Sequence, residues 1–281
     1  MSVTSTLVEA LIELAIAEDC SMGDVTAEAL IPKESRGTLR IFAKEPCLFC
    51  GAIIVEPLLR KFNISTGDLT WHVGDGESLE EGDVVLAING ASRTLLTLER
   101  PLLNFIQHLS GISTLTRRYV NAIQHTSARL LDTRKTTPGF RVLEKYATRV
   151  GGAVNHRLSL SHGWLIKENH IHQVGGVKCA LDAVAAYGTH GLKVEIEVET
   201  FEELAAAVAG GADIVLLDNF SVGDVREAVA QFGRQVVLEA SGGINLSTIT
   251  AYAETGVHSI AVGSITHSAL AIDFSAHLTS H

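Results

Sequence analysis

A chain of 281 residues that is 46% hydrophobic and 19% charged has enough apolar material for one large domain or two ordinary ones, and is too apolar to be disordered. Its formal net charge of −10 argues against nucleic acid as a partner, and no apolar run approaches the roughly 18 residues that cross a bilayer. The N-terminus is rich in Ser and Thr and carries Glu9 and Glu13 where a leader would be basic and then apolar, so the expectation is a soluble, cytoplasmic protein without membrane attachment.

Residues 5–18 place Leu7, Leu11, Leu14 and Ala15 at the spacing of an amphipathic helix, and Cys20 to Thr26 is turn chemistry. From Arg36 to about Arg100 the pattern predicts short β runs at 37–46, 48–59, 69–73, 83–91 and 93–100, broken by Asp75-Gly76, Gly82-Asp83 and Asn89-Gly90. This is a small, mostly β domain. It offers no lysine at the Asn89-Gly90-Ala91 turn, which excludes a biotin or lipoate carrier. Cys47 and Cys50 have the spacing of a metal or redox pair, but no second pair follows and Ile41, Phe42, Leu48, Phe49, Ile53 and Ile54 surround them, so they read as core.

A helical segment at 99–125 leads into strand and helix alternation. Strands are predicted at 128–134, 163–169, 192–199, 212–219, 236–243 and 258–264, with Ala-rich amphipathic helices at 138–149, 177–188, 200–211, 221–233 and 246–256. About six such units fit, fewer than the eight of a full barrel. The expectation is an incomplete or modified α/β barrel, with an open doubly wound sheet as the alternative.

Charge is unevenly spread over these units. Between Arg100 and His172 stand eleven Lys or Arg and three acids, Asp132, Glu144 and Glu168; this stretch carries +8, and the remaining residues therefore sum to −18. Gathering like charges costs self-repulsion, which points to a bound anion. Polar clusters close nearly every strand: Thr133-Arg134-Lys135, Lys167-Glu168-Asn169, Glu197 and Glu199, Asp218-Asn219, Glu239 with Ser241-Gly242-Gly243, and Gly263-Ser264. Sites of barrels and of open α/β sheets lie at the carboxyl ends of strands, so these clusters converge on one mouth. Ser241–Gly243 and Gly263-Ser264 supply the backbone amides of a phosphate cradle. Glu197 and Asp218 are hard oxygen ligands suited to Mg²⁺ shared with a diphosphate, while His170 and His172 read as structural. Glu195, Glu197 and Glu199 share one side of their strand, a costly arrangement unless cations face them.

Long stretches carry a family resemblance: 18–26, 99–114, 131–141, 145–157, 165–171, the acidic strand at 195–199, 216–220, 238–244 and 262–268. Over nearly its whole length the chain resembles quinolinate phosphoribosyltransferase, departing from the family pattern at Ala153, Ser159 and His162. The resemblance implies an incomplete, six- to seven-stranded α/β barrel over 109–281 and an N-terminal α+β open sandwich over 1–108, with the last residues packing back on the latter. It implies transfer of a phosphoribosyl group from phosphoribosyl pyrophosphate to quinolinate, with decarboxylation and Mg²⁺, in de novo NAD synthesis. Partners would be these two substrates and a second copy of the chain, in a homodimer or a hexamer of such dimers. Arg100 matches the residue that completes the neighbouring subunit's site. Arg134, His156, Arg157 and Lys167 match the dicarboxylate clamp, with Thr133 and Lys135 beside it, and Lys135 and Lys167 also face the donor. Glu197 and Asp218 match the carboxylates near the ribose hydroxyls and the metal, held directly or through water. Lys135, Lys167, Glu197 and Asp218 would carry the catalysis. Ser241, Gly242, Gly243, Gly263, Ser264 and Ile265 match the 5′-phosphate cradle, with His267 close by.

Overall fold

The computed structural model describes residues 6–188 and 191–281, so Ser5, the first residue of the predicted N-terminal helix, lies outside them. Two compact units result: Met1–Arg117 with Thr136–Gly152 and Thr266–His281, and Arg118–Lys135 with Ala153–Ile265. The chain begins with α1 (Thr6–Cys20), α2 (Val25–Leu30), β1 (Arg36–Ala43), β2 (Cys47–Leu48), α3 (Ala52–Lys61), β3 (Leu69–Trp71), β4 (Ser78–Leu79), β5 (Val84–Ala91) and α4 (Ser92–Ile123). Next come β6 (Arg129–Leu131), α5 (Arg141–Gly151), β7 (Trp164–Ile166), α6 (Glu168–Val174), α7 (Val177–Tyr187), β8 (Val194–Val198), α8 (Phe201–Ala209) and β9 (Ile214–Asp218). The last elements are α9 (Val222–Phe232), β10 (Val237–Ser241), α10 (Ile249–Ala253), β11 (Ser259–Ala261), α11 (Ser264–His267) and β12 (Phe274–Ser280).

In the first unit an antiparallel sheet runs in the order β12-β1-β5-β3, the C-terminal strand pairing with β1 along its length. Two segments expected as β are helical. Residues 48–59 mostly form α3, which buries Ile54, Val55, Leu58 and Leu59 on one face, and the Asp75 carboxylate accepts the Gly51 and Ala52 N–H groups at 2.7 and 3.0 Å at its start. Residues 93–100 are the first turns of α4, which buries Leu95, Leu98, Leu102, Ile106 and Leu109 and carries Pro101 in its interior. Short continuous apolar runs have no period that separates strand from buried helix, and here a cap from a distant loop decides. In α1 the buried residues are Val8 and Ile12, whereas Leu7 and Leu14 are each 65% exposed. That helix is apolar on several sides, so spacing alone did not select the inner face. Cys47 and Cys50 are buried thiols of the core, and burial pushes the Cys47 pKa up to about 11.

The second unit contains all six predicted strands in one parallel sheet, ordered β6-β11-β10-β9-β8-β7. β7 to β11 follow one another in chain order and β11 then closes against β6, while β6 and β7 share no ladder among the described residues. This is barrel winding with one gap. A parallel bridge between Leu131 and Val154 adds a short seventh position beside β6. Strand parity divides the residues: Ile196, Val198, Val215, Leu217 and Leu238 are fully buried, and α8 packs on β8 and β9. The alternate positions Glu197, Leu216, Asp218, Glu239 and Ser241 line a cleft.

Candidate active site

That cleft, about 400 Å³, is bounded by Thr133, Arg134, Lys135, His156, Arg157, Lys167, Glu197, Asp218 and Ser241, together with Leu165, Leu216, Glu239 and Ala261. A larger cavity of about 560 Å³ in the first unit has walls of Leu11, Leu14, Phe105 and Phe140, and no Lys or Arg lines it. Multiply charged anions need the smaller, cationic one.

One wall is basic. At its base Asp132 is fully buried, accepting the Asn155 Nδ2–H at 2.6 Å and the His156 backbone N–H at 2.9 Å, which ties residues 155–157 to the end of β6. The Thr133 hydroxyl accepts the Lys135 N–H at 3.0 Å and shapes the turn that presents Arg134 and Lys135. His156 Nδ1 accepts the Arg157 N–H at 2.8 Å, and Nε2 lies 2.9 Å from Glu195 Oε2 and 3.8 Å from Glu239 Oε1. Arg157 donates through Nη1 to the Gly163 carbonyl at 3.1 Å; burial and the neighbouring Arg134 charge lower its pKa. Two adjacent guanidiniums held against their repulsion suit a planar, multiply charged anion.

The opposite wall is acidic. Lys167 Nζ donates to Glu197 Oε2 at 2.5 Å across the mouth. The Asp218 pKa is raised, first by burial and then by the Glu197 charge, with Lys167, Lys135 and a hydrogen bond from Asn219 acting against the rise. Asn219 donates Nδ2–H to Asp218 Oδ2 at 2.9 Å and adopts φ 57°, a left-handed conformation that Asn tolerates. Gly242 (φ 96°) and Gly243 (φ 61°) follow β10, and a Cβ on Gly242 would stand 2.2 Å from Asn219 Oδ1. The helix expected from Leu246 starts at Ile249, so the amides of Gly242 and Gly243 stand on a turn rather than in its first turn.

The other predicted residues are placed as follows. Ser264 Oγ lies 3.3 Å from the Tyr119 hydroxyl beside Gly263, and the fully buried Ile265 has only its backbone to offer a ligand. His267 is exposed, with Nδ1 2.7 Å from Ser268 Oγ, and Arg100 is exposed on α4 in the first unit. His170 Nδ1 accepts the Lys167 N–H at 2.9 Å, a structural role, and the exposed His172 pairs with Glu168 at 3.7 Å. At the family departures Ala153 is buried, and Ser159 Oγ contacts His162 Nδ1 at 2.6 Å on an exposed loop. Asp132 and Asn219 act on the site without having been singled out as site residues. Asp132 looks from sequence like one acid among cations, and only its full burial marks it.

The family model for the N-terminal domain of quinolinate phosphoribosyl transferase matches residues 24–110, and the model for its C-terminal domain matches residues 112–277. The nicotinate-nucleotide pyrophosphorylase [carboxylating] of Mycobacterium leprae is 41% identical over 267 residues, covering 93% of this chain and 94% of that protein. A probable enzyme of the same name from Bacillus subtilis is 38% identical over 262 residues, covering 93% and 90%. Among solved structures, the nicotinate-nucleotide pyrophosphorylase from Francisella tularensis superposes with a TM-score of 0.92 at 39% identity, covering 97% of this chain and 96% of that one.

Proposed function

This chain belongs to the quinolinate phosphoribosyltransferase family, and we infer that the cleft at its parallel strand ends performs the family's reaction residue by residue as follows. The reaction joins quinolinate to phosphoribosyl pyrophosphate and yields nicotinate mononucleotide, pyrophosphate and carbon dioxide for NAD synthesis. The observation that carries the assignment to this cleft is the facing of a basic wall, Arg134, Lys135, Arg157 and Lys167, by two acids, Glu197 and Asp218, within 400 Å³.

Arg134 and Arg157 hold the two ring carboxylates, because paired guanidiniums match planar carboxylates bidentately. His156, its Nδ1 taken by Arg157 and its Nε2 turned to Glu195, serves the clamp by fixing the start of that arginine. Lys135 and Lys167 face the donor's diphosphate. The amides of Gly242, Gly243 and Gly263–Ile265, with the Ser241 and Ser264 hydroxyls, receive its 5′-phosphate, and His267 follows two residues along the chain.

Glu197 and Asp218 fit Mg²⁺: both offer hard oxygens, and the Asp218 pKa is raised first by burial and then by the Glu197 charge, penalties that a cation would relieve. Bound there, directly or through water, Mg²⁺ would supply neutralisation of the diphosphate charge. As pyrophosphate leaves, positive charge grows on the ribose, and Glu197 and Asp218 stabilise it. The ring nitrogen attacks C1 of the ribose, and the quaternised nitrogen becomes the electron sink for loss of the adjacent carboxylate. No covalent enzyme intermediate is needed.

The working unit is a homodimer, alone or assembled further, in which Arg100 of each subunit completes the other's cleft; its exposure on α4 supports this. The compartment is the cytoplasm. The deciding measurement is nicotinate mononucleotide and CO₂ formation by purified protein given quinolinate, phosphoribosyl pyrophosphate and Mg²⁺, with nicotinate as parallel acceptor. Turnover of quinolinate alone is expected; silence from folded, donor-binding protein would reject quinolinate as the acceptor.

A further inference from the structure

We propose that Glu239 is the acid that delivers a proton to C2 of the pyridine ring as carbon dioxide leaves. The proposal rests on quinolinate being the acceptor. Glu239 stands in the middle of β10, is 2% exposed, and forms part of the cleft floor. Its Oε2 accepts the Ser259 hydroxyl from β11 at 3.3 Å; its Oε1 has no hydrogen-bond partner. Glu195 from β8 and His156 face it, and β9 places Leu216 beside it in register.

Two buried carboxylates this close need a compensating cation or proton, because each buried charge costs several kcal/mol. The ligand atoms of His156, Glu195 and Glu239 lie within 4.8 Å of one another, close enough for a metal ion. The tautomer of His156 decides otherwise. Nδ1 accepts a backbone N–H, so the ring proton is on Nε2 and points to Glu195 at 2.9 Å. A metal on Nε2 would require an imidazolate, contrary to the donor that normally occupies the second nitrogen of a metal-bound histidine. The compensating species is therefore a proton, and it belongs on Glu239, since Glu195 already receives the histidine's N–H. Burial and the Glu195 charge push the Glu239 pKa up to about 8, with His156 and Ser259 partly opposing. The result is a neutral acid at the cleft floor whose Oε1 has no hydrogen-bond partner among the described residues.

Decarboxylation needs such a group. The bond between C2 and the carboxylate carbon breaks, CO₂ departs, and the electron pair stays on C2 beside the cationic ring nitrogen. C2 takes the proton from Glu239 Oε1, leaving the carboxylate, which water reprotonates. A second cavity of about 200 Å³ shares His156, Arg157 and Glu239 with the cleft and has the exposed His162 and Lys193 in its lining, giving water a route to the same carboxyl.

The test uses the full-length Glu239→Gln protein, whose side chain is neutral like the protonated acid and has nearly its shape. Quinolinate and donor dissociation constants should stay within about twofold of wild type, and first-turnover pyrophosphate release should persist. Steady-state CO₂ and nicotinate mononucleotide formation should fall about 100-fold or more, the usual worth of a positioned acid. Wild-type kcat should fall above pH 8, and that limb should be absent from the variant's residual rate. Glu239→Asp, which keeps the proton, should recover part of the rate and the limb. Wild-type kcat in Glu239→Gln, a raised quinolinate KM with unchanged kcat, parallel losses of pyrophosphate and CO₂ release in the first turnover, or an Asp variant no better than the Gln variant would each overturn the proposal. A wild-type protein inactive on quinolinate would instead refute the acceptor assignment.

Discussion

Gly242→Ala tests the coupling between the phosphate turn and the acidic wall. Gly242 has φ 96°, where an L side chain costs about 1–2 kcal/mol. The new Cβ would lie 2.2 Å from Asn219 Oδ1 and 2.7 Å from the Asn219 backbone N, so relief requires moving backbone as well as a flexible side-chain tip. Moving Asn219 strains its N–H bond to the Ser241 carbonyl at 3.0 Å and its amide bond to Asp218 at 2.9 Å, each worth about 1 kcal/mol. The combined cost is about 2–4 kcal/mol, divided between folding and donor binding according to how far the turn relaxes. Urea unfolding should show lower stability with an unchanged slope, and calorimetric titration should show phosphoribosyl pyrophosphate bound about 10- to 100-fold more weakly, tenfold being about 1.4 kcal/mol. Quinolinate binding, served by the other wall, should be nearly unaffected. Wild-type stability together with wild-type donor affinity would refute the reasoning.

Arg134→Ala should weaken quinolinate binding by about 100-fold, the worth of a desolvated charge-assisted pair, with a much smaller effect on the donor; equal losses in titrations of both ligands would reject the division of labour. Asp132→Ala should destabilise the fold by about 3 kcal/mol in denaturant and raise the quinolinate KM, because the Asn155 and His156 donors lose a buried charged acceptor. Asp218→Asn should cost about 100-fold in kcat while raising the melting temperature at pH 7, since burial and Glu197 penalise the ionised form. The sign follows from the raised pKa: the penalty applies above the folded-state value, so the melting-temperature gap should close as pH falls through that value and vanish below 3.8. Mixing inactive Arg100→Ala and Lys167→Ala proteins under subunit exchange should restore about a quarter of wild-type activity, because half the dimers are then mixed and each mixed dimer holds one intact site. No recovery on exchange would mean that Arg100 serves its own subunit.

Much of the barrel was legible because parallel strands buried under helices are written as continuous Val, Ile and Leu runs, and all six were found. The N-terminal unit was harder. Its apolar segments 48–59 and 93–100 have the composition of strands but form helices, under a cap supplied by Asp75 and by the packing of α4, and neither signal is local. In the site, Arg134, Lys135, Lys167, Glu197 and Asp218 stood out because polar residues ending apolar strands are conspicuous, and Arg157 because it closes a Gly-rich run that resembles the family's. Asp132 is an unremarkable letter in the same strings, and Asn219 and Glu239, though named among the strand-end clusters, carry no role that residue type alone assigns.

By itself the sequence determined the family, the class of fold, the two opposed charges of the cleft and the glycine turns at its end, since each is carried by residue type and spacing along one segment. Only the tertiary structure decided which face of α1 is buried, which nitrogen of His156 carries its proton, and that Glu195 and Glu239 meet beneath it. Those features depend on distances between segments remote in the chain, and a buried charge takes its protonation state from whatever packing sets beside it.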